Sequence, residues 1–335
     1  MATISDVAKL AGMSVSTVSR VINNKPHVSE AKRKRVEEAM AALGYSPLPA
    51  ARQMRGSGSG NIAVVVPTIT NSFFANLVDS IERECRKYEY KTLITQTYGK
   101  KSNEERSMSL LSQHHADGVI LCSIENDWEM LKSYLNYGKL VACNEYNDDN
   151  SVSIIRARQY EGFYKATEYL LGKGHRNIAY CTGSKTMHIA PAGANIDSDR
   201  YTGYLDALGN QGISANQKWL FRGVGTVDDG RRVVHQLMSL TDKPQAIIAG
   251  SDAVAVGMVL EAEAMGLRIP EDLAIMGVDD QPIASYISVP LTTIRQPVQE
   301  EGRMAAREMV RQLTEDATDA RSTELDLEIV VRHSA

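Results

Sequence analysis

The run Ile62-Ala63-Val64-Val65-Val66 constrains this chain more than any other stretch, because it has no polar face to turn to water. A strand of that composition must be covered on both sides, which is the habit of a parallel sheet with helices above and below it. Similar runs recur at 92–95, 118–122, 140–143, 178–181, 246–249 and 273–278, with helical segments between them, the first from about 73 to 88. This alternation predicts an α/β fold with parallel sheets. The pattern alone leaves one sheet or two open. At 335 residues the chain exceeds one compact core, so two or three lobes are expected.

Ahead of this body the first 56 residues read differently. Thr3 can cap the N–H of Asp6, Ile4, Val7, Ala8 and Ala11 recur at helical spacing, and Gly12 stops the segment. Ser14 can cap a second helix over 15–22, with Val18, Val21 and Ile22 inside and Val15, Ser16, Ser19 and Arg20 outside. Two short helices across a tight turn predict a helix-turn-helix. Such a pair also occurs in ordinary helical domains, so the outward side chains carry the functional argument. Arg20 can offer two donors to guanine O6 and N7, Ser16 can bond several base edges, and Val15 can press on a thymine methyl. Thr3, Ser14, Thr17, Ser19, Asn23 and His27 suit phosphate oxygens, which fix register without reading sequence.

A third helix, from 29 to about 43, carries Val36, Ala39, Met40 and Leu43 on one face and opens on Lys32-Arg33-Lys34-Arg35. A basic run is usually a solvated face. Here residues 1–60 hold nine Lys and Arg against four Asp and Glu, so a head of +5 precedes a body of −9 in a chain of −4. That division fits a head that meets phosphate and a body that does not. Between them, Pro49 suits a first helical position, yet a helix over 48–55 is too short to hold in water alone. The stretch is either a plain linker or a segment that orders when bound. In the second case Ala51 and Met54 meet the minor groove, Met54 as a wedge between base steps, with Arg52 and Arg55 near phosphate.

Several function classes fall away. No apolar run spans a bilayer, and the amino terminus is an amphipathic helix containing Asp6 instead of an export signal, so a cytoplasmic protein is expected. Cys85, Cys122, Cys143 and Cys181 lack paired short spacing, which favours core use over metal or redox use. His114, His115, His175 and His188 come without a nucleophile elbow, phosphate loop or zinc spacing. Neither catalysis, metal nor cofactor is expected.

In open α/β folds ligands sit beyond the carboxyl ends of the strands. There the sequence places Asn71, Phe73 and Phe74, then Ser123, Asn144 and Glu145, then Ser251 and Asp252, and finally Asp279 and Asp280. Carboxylates and amides bond adjacent hydroxyls, and the two aromatics can stack on a ring, which suits a polyhydroxylated ligand. The plainer alternative is that Asp252 or Asp279 caps the next helix and that Phe73 or Phe74 is core.

The order T-I-S-D-V-A-K-L-A-G-M-S-V-S-T-V-S-R-V-I-N-N, followed by V-S, G-Y-S-P and A-R-Q-M, closely resembles the lactose/galactose repressor (LacI/GalR) family of bacterial transcription factors. The resemblance continues over nearly the whole chain. It implies a helix-turn-helix DNA-binding head at 1–46, a hinge helix and linker at 47–60, and an effector-binding and dimerisation core at 61–335, two-lobed like periplasmic sugar-binding proteins. Lobe one would be about 61–158 with 296–324, and lobe two about 159–292 with 325–335, the last strand lying near 325–331. By resemblance Val15 and Ser16 stand where the family varies its operator reading, Arg20 where it contacts bases, and Met54 where a leucine usually intercalates. Arg200, in D-R-Y-T-G-Y, matches the arginine that holds effector hydroxyls or carboxylate. Asp279, Ser251 and Asp252 match effector-contacting positions, and Phe73 and Phe74 match positions that line the site.

Three departures stand out. Leu48 replaces a frequent Asn at the hinge, Gly225 stands where several members place a stacking aromatic, and the loop over 184–199 looks longer than usual. The last two lie at the cleft mouth and point to a ligand larger than a monosaccharide or differently oriented. The expectation is a sequence-specific repressor of carbohydrate-metabolism genes, a homodimer on a pseudo-palindromic operator, controlled by a small effector, a sugar, bound between the lobes. Only four residues follow 325–331, without the family's extra tetramerising helix, which favours a dimer. The alternatives are a corepressor response to a phosphocarrier protein or purine, and a solute-binding protein, against which the basic head argues.

Overall fold

The computed structural model describes residues 2–22, 28–45, 58–146, 151–185, 195–315 and 317–335. They belong to two compact units, Met1–Ser59 and Gly60–Ala335. In the first, α1 (Ile4–Ala11) starts at a capping box: Thr3 Oγ1 accepts from the Asp6 N–H at 3.3 Å, and the Asp6 carboxylate accepts from the Thr3 N–H at 2.8 Å. Gly12, at φ 65°, ends the helix in a conformation that costs glycine nothing. The Ser14 hydroxyl accepts from the Thr17 N–H at 3.2 Å at the start of α2 (Val15–Ile22), and α3 (Glu30–Ala42) follows. Eight-residue helices are marginal alone in water. What holds them is a shared core of Val7, Ala8, Ala11, Val18, Val21, Val36 and Ala39. Asn23, His27, Ala51, Met54 and most of the 47–60 segment lie outside the described residues.

The second unit contains two six-stranded sheets. The first uses β1 (Asn61–Val66), β2 (Lys91–Gln96), β3 (Gly118–Leu121), β4 (Lys139–Cys143), β5 (Ser153–Ala157) and β11 (Thr323–Leu325), in the order β11-β5-β4-β3-β1-β2. The second uses β6 (Ile178–Thr182), β7 (Leu220–Arg222), β8 (Ala246–Ile248), β9 (Ala274–Asp279), β10 (Thr292–Arg295) and β12 (Glu328–Val330), in the order β12-β10-β9-β8-β6-β7. All neighbours run parallel except β10 and β12. The question of one sheet or two is thus settled as two, each the centre of a lobe.

The double burial expected of β1 is present. Ile62, Val64 and Val66 pack with Leu77, Ile81, Ala305 and Met309 on one face, while Ala63 and Val65 pack with Met108, Leu111 and Leu131 on the other. At roughly 25 cal/mol per Å² of apolar surface removed from water, such strands are the main source of each lobe's stability. The chain passes between sheets three times, from β5 to β6, from β10 to β11 and from β11 to β12.

One expected element is divided. Residues 325–331, anticipated as a single closing strand, break at Asp326-Leu327, so Leu325 ends β11 in the first sheet and Glu328 opens β12 in the second. The cause is Leu327, which is buried against Gly162, where a Cβ atom would fall 2.2 Å from Leu327 Cδ1. All four cysteines are free and buried. Among the described residues no helix is long and apolar enough to cross a membrane.

Candidate functional site

The candidate residues fall on two surfaces, the outer face of α2 and the space where the carboxyl ends of the two sheets face each other. On α2, Val18 and Val21 are buried while Val15, Ser16 and Arg20 are exposed, and Thr17 and Ser19 lie partly exposed beside them. The Ser14 hydroxyl bonds those of Ser16 and Thr17 at 2.9 Å each. Thr3 and Ser14 therefore work first as helix caps, at the end of each helix where N–H groups and the dipole favour an anion.

Between the sheets, the strand ends are held in unusual backbone conformations. Asn144, after β4, has φ 60°, Asp279, ending β9, has φ 103°, and Asp280 has φ 52°. Positive φ in residues other than glycine is uncommon and concentrates at functional turns. Asp279 is partly exposed; burial around its carboxyl and the Asp252 charge raise its pKa to about 7 against the pull of Arg200. Gln281 Nε2 donates to its Oδ2 at 3.2 Å. Arg200 comes from the helix Ile196–Gly209, donates from Nε to Gln159 Oε1 at 2.8 Å, and lies over the Phe163 ring at 5.1 Å. Gln159 in turn donates to Gln296 Oε1 at 3.0 Å, so the arginine is tied to two chain passages between the sheets.

The remaining sequence candidates divide into those near this centre and those occupied elsewhere. Glu145 accepts from the Ile124 N–H at 3.1 Å, and burial, with the charges of Glu125 and Glu104, raises its pKa to about 8. Ser123 donates to Glu125 at 3.1 Å. Phe73 is buried, meets Phe74 edge-on at 5.2 Å, and lines a cavity of about 190 Å³ with Asp279, Gln281 and Gln296. Asn71 and Ser251 are helix caps, accepting from the N–H groups of Phe73 at 2.9 Å and Val254 at 3.3 Å. Asp252 does not stand open to the cleft. It is fully buried, its Oδ1 accepts from Thr293 Oγ1 and its Oδ2 from the Gln281 N–H, both at 2.6 Å. Its pKa rises to about 7 through burial, opposed by those two bonds. Its task is to hold the turn over 279–281.

Sequence reasoning missed the contacts that join the lobes. Tyr146 Oη donates to Asp199 Oδ2 at 2.8 Å, and the Arg156 guanidinium lies 4.1 Å from the Tyr146 ring centre. Glu301, in the first turn of the helix Val298–Thr314, is fully buried; burial lifts its pKa to about 8 while Arg200 and the Ala157 N–H pull it down. Asp199 was legible only as the neighbour of Arg200, and Glu301 had no local signal beyond an acid at a helix start. Among the described residues no group of three His, Cys, Asp or Glu is placed to hold a metal ion.

Comparison with known proteins identifies the arrangement. Residues 3–47 match the family model of bacterial regulatory proteins, lacI family, and residues 167–335 match a periplasmic binding protein-like domain. The chain is 34% identical to the NTD biosynthesis operon regulator NtdR of Bacillus subtilis (strain 168), with both chains covered completely. It is 31% identical to the HTH-type transcriptional repressor PurR of Edwardsiella ictaluri (strain 93-146), covering all of this chain and 97% of that one. A LacI family transcriptional regulator from Lactobacillus casei, solved with bound sucrose, superposes with TM-score 0.74 at 34% identity, covering 82% of this chain and 99% of that one. With a matching head, a matching core and full-length relatives above 30% identity, the chain belongs to the LacI family of bacterial regulatory proteins.

Proposed function

We propose that this LacI-family DNA-binding regulator is a cytoplasmic repressor of carbohydrate-metabolism genes whose grip on a pseudo-palindromic operator is set by a sugar-class ligand bound between its lobes. The observation that carries the reading is the polar character of the facing strand ends, with Asn144 and Glu145 after β4 in the first lobe and Asp279 at the end of β9, beside Arg200, in the second. The sucrose bound by the Lactobacillus casei relative supports the ligand class, and the name of the Edwardsiella relative supports repression. Arg200 and Asp279 bond ligand hydroxyls in this reading, Phe73 and Phe74 pack on the ring, and Ser123, Asn144 and Glu145 complete the first lobe's side. Asn71, Ser251 and Asp252 act by holding the turns that present them.

On the DNA side Val15, Ser16 and Arg20 read bases, while Thr3, Ser14, Thr17, Ser19, Asn23 and His27 meet phosphate. Ala51 and Met54, in the proposed hinge over 47–60, contact the minor groove at the operator centre. One such head reads only a few base pairs, so a homodimer doubles the contacts and the specificity. Ligand binding changes how the lobes close, which changes the spacing of the two hinges. A coupling of ~1–3 kcal/mol alters operator affinity roughly 5–150-fold. A thermal-shift screen of the full chain against mono- and disaccharides, sugar phosphates and nucleobases tests the ligand class, since a true ligand raises the melting point by mass action. A response to nucleobases alone contradicts the sugar reading.

A further inference from the structure

Arg200 and Gln159 come from two helices that meet backbone to backbone. Gln159 opens the helix Gln159–Gly172, just past the end of β5, and Arg200 stands near the start of the helix Ile196–Gly209. Gly203, three residues after Arg200, permits the approach, since a Cβ there would fall 2.3 Å from the Tyr160 carbonyl oxygen. The arginine therefore reaches Gln159 from a closely packed base. Its Nε donates to Gln159 Oε1 at 2.8 Å, and its guanidinium lies over the Phe163 ring at 5.1 Å.

Gln159 is 1% exposed, and Gln296, one residue past the end of β10, is 2% exposed. Their carboxamides exchange two bonds, Gln159 Nε2 donating to Gln296 Oε1 at 3.0 Å and Gln296 Nε2 to Gln159 Oε1 at 3.3 Å. Buried amides ordinarily pair to satisfy one another. That accounts for the pair and not for the third bond, which is shorter than either of the two and goes to a partly exposed side chain within reach of water. A guanidinium only donates, so the atom that meets Arg200 Nε must be an oxygen. This fixes which end of Gln159 faces the arginine and which end faces Gln296.

The consequence falls on the other edge of the arginine. Gln159 takes the Nε–H, and among the described residues no hydrogen bond reaches the two Nη groups. Because a guanidinium is planar, holding Nε and backing one face sets the direction of the Nη pair, the edge suited to adjacent hydroxyls or a carboxylate. We infer that Gln159 is a positioning residue for ligand binding: it touches no ligand itself, and its carboxamide oxygen aims the two Nη groups of Arg200 at the ligand. The inference rests on the reading of Arg200 as a sugar contact and adds the residue that directs it.

The test is a double-mutant cycle read by calorimetric titration of the full chain at pH 7, with the tightest binder among glucose, galactose, sucrose, trehalose, maltose and cellobiose. Gln159→Leu keeps the size of the side chain but removes the acceptor, and should weaken that sugar about tenfold or more. Arg200→Lys leaves a point charge on a flexible stem, whose direction one oxygen cannot fix. In that background Gln159→Leu should weaken the sugar by less than about twofold. Gln159→Glu keeps an oxygen facing Nε and should bind within about threefold of the unmodified chain. If Gln159→Leu does not fold, Gln159→Asn, one methylene too short to reach both partners, takes its place. Equal losses in both backgrounds, or a loss in Gln159→Glu as large as in Gln159→Leu, would make Gln159 a support of the fold alone and overturn the positioning role while the sugar reading stands. An Arg200→Lys chain that binds the sugar as tightly as the unmodified one overturns the role in the same way. No binding of any of these sugars overturns both.

Discussion

Tyr146 and Asp199 face each other across the two lobes, and the phenol donates to the Asp199 carboxylate at 2.8 Å with both side chains buried. Because Tyr146 follows a strand of the first sheet and Asp199 begins a helix beside the second, this bond holds the lobes together next to Arg200. Tyr146→Phe leaves a buried carboxylate one donor short, at a cost of about 1–3 kcal/mol. Urea unfolding of the variant is expected to show that loss, together with weaker effector binding. Unchanged stability and affinity would remove Tyr146 from the closure.

Glu301 gives a pH dependence with a definite sign. Its pKa is raised from 4.5 to about 8, so between those values the folded chain holds a proton that the unfolded chain has released. Its favourable contribution is therefore complete below about pH 4.5, declines as pH rises towards 8 by up to about 1.4 kcal/mol per unit, and is gone above that. Glu301→Gln should unfold at higher urea than the unmodified chain at pH 8, with the advantage shrinking towards pH 5. A pH-independent difference would contradict the burial argument.

Gly277 makes room for Asp252. A Cβ there would fall 2.2 Å from Asp252 Oδ1 and 3.1 Å from Thr293 Oγ1, the pair that anchors the turn over 279–281. Gly277→Ala should lose about 1–3 kcal/mol of stability through overpacking and should weaken effector binding as the turn shifts. Calorimetric unfolding of the variant checks the first effect, and a normal melting point would show that Asp252 moves freely.

How far the sequence reached follows from which contacts are local. The caps at Thr3, Ser14, Asn71 and Ser251 bond within two or three residues, so spacing reveals them. The strands covered on both faces, such as β1, stand out as apolar runs. β5 and β10 do not, because Ser153, Arg156, Thr292, Thr293 and Arg295 interrupt them while bonding to Glu308, Glu324, Ala335, Asp252 and Asp280 far along the chain. The same reason hid Tyr146 and Gln159, whose partners Asp199, Arg200 and Gln296 are remote in sequence. Asp252 was expected as an effector contact or a helix cap, because its bonds to Thr293 and the Gln281 N–H are remote in sequence.

Arg20 lies exposed on α2 and tests the head. Arg20→Ala should cost ~1–3 kcal/mol on the preferred operator and relax the choice of base at one position. Fluorescence anisotropy on operator variants measures both. An equal loss on random duplex would reassign the side chain to phosphate.

The central claim is that a ligand held between the lobes governs a sequence-specific grip on DNA. The most direct measurement selects the preferred duplex from a random pool with the full chain, then titrates it against bulk genomic competitor with and without the ligand found by thermal shift. The account predicts a palindrome bound about 10³-fold or more tighter than competitor, with ligand changing that affinity roughly 5–150-fold, and with the change lost in Arg200→Ala. A selected pool without palindromic preference, or an affinity the ligand does not alter, would contradict it.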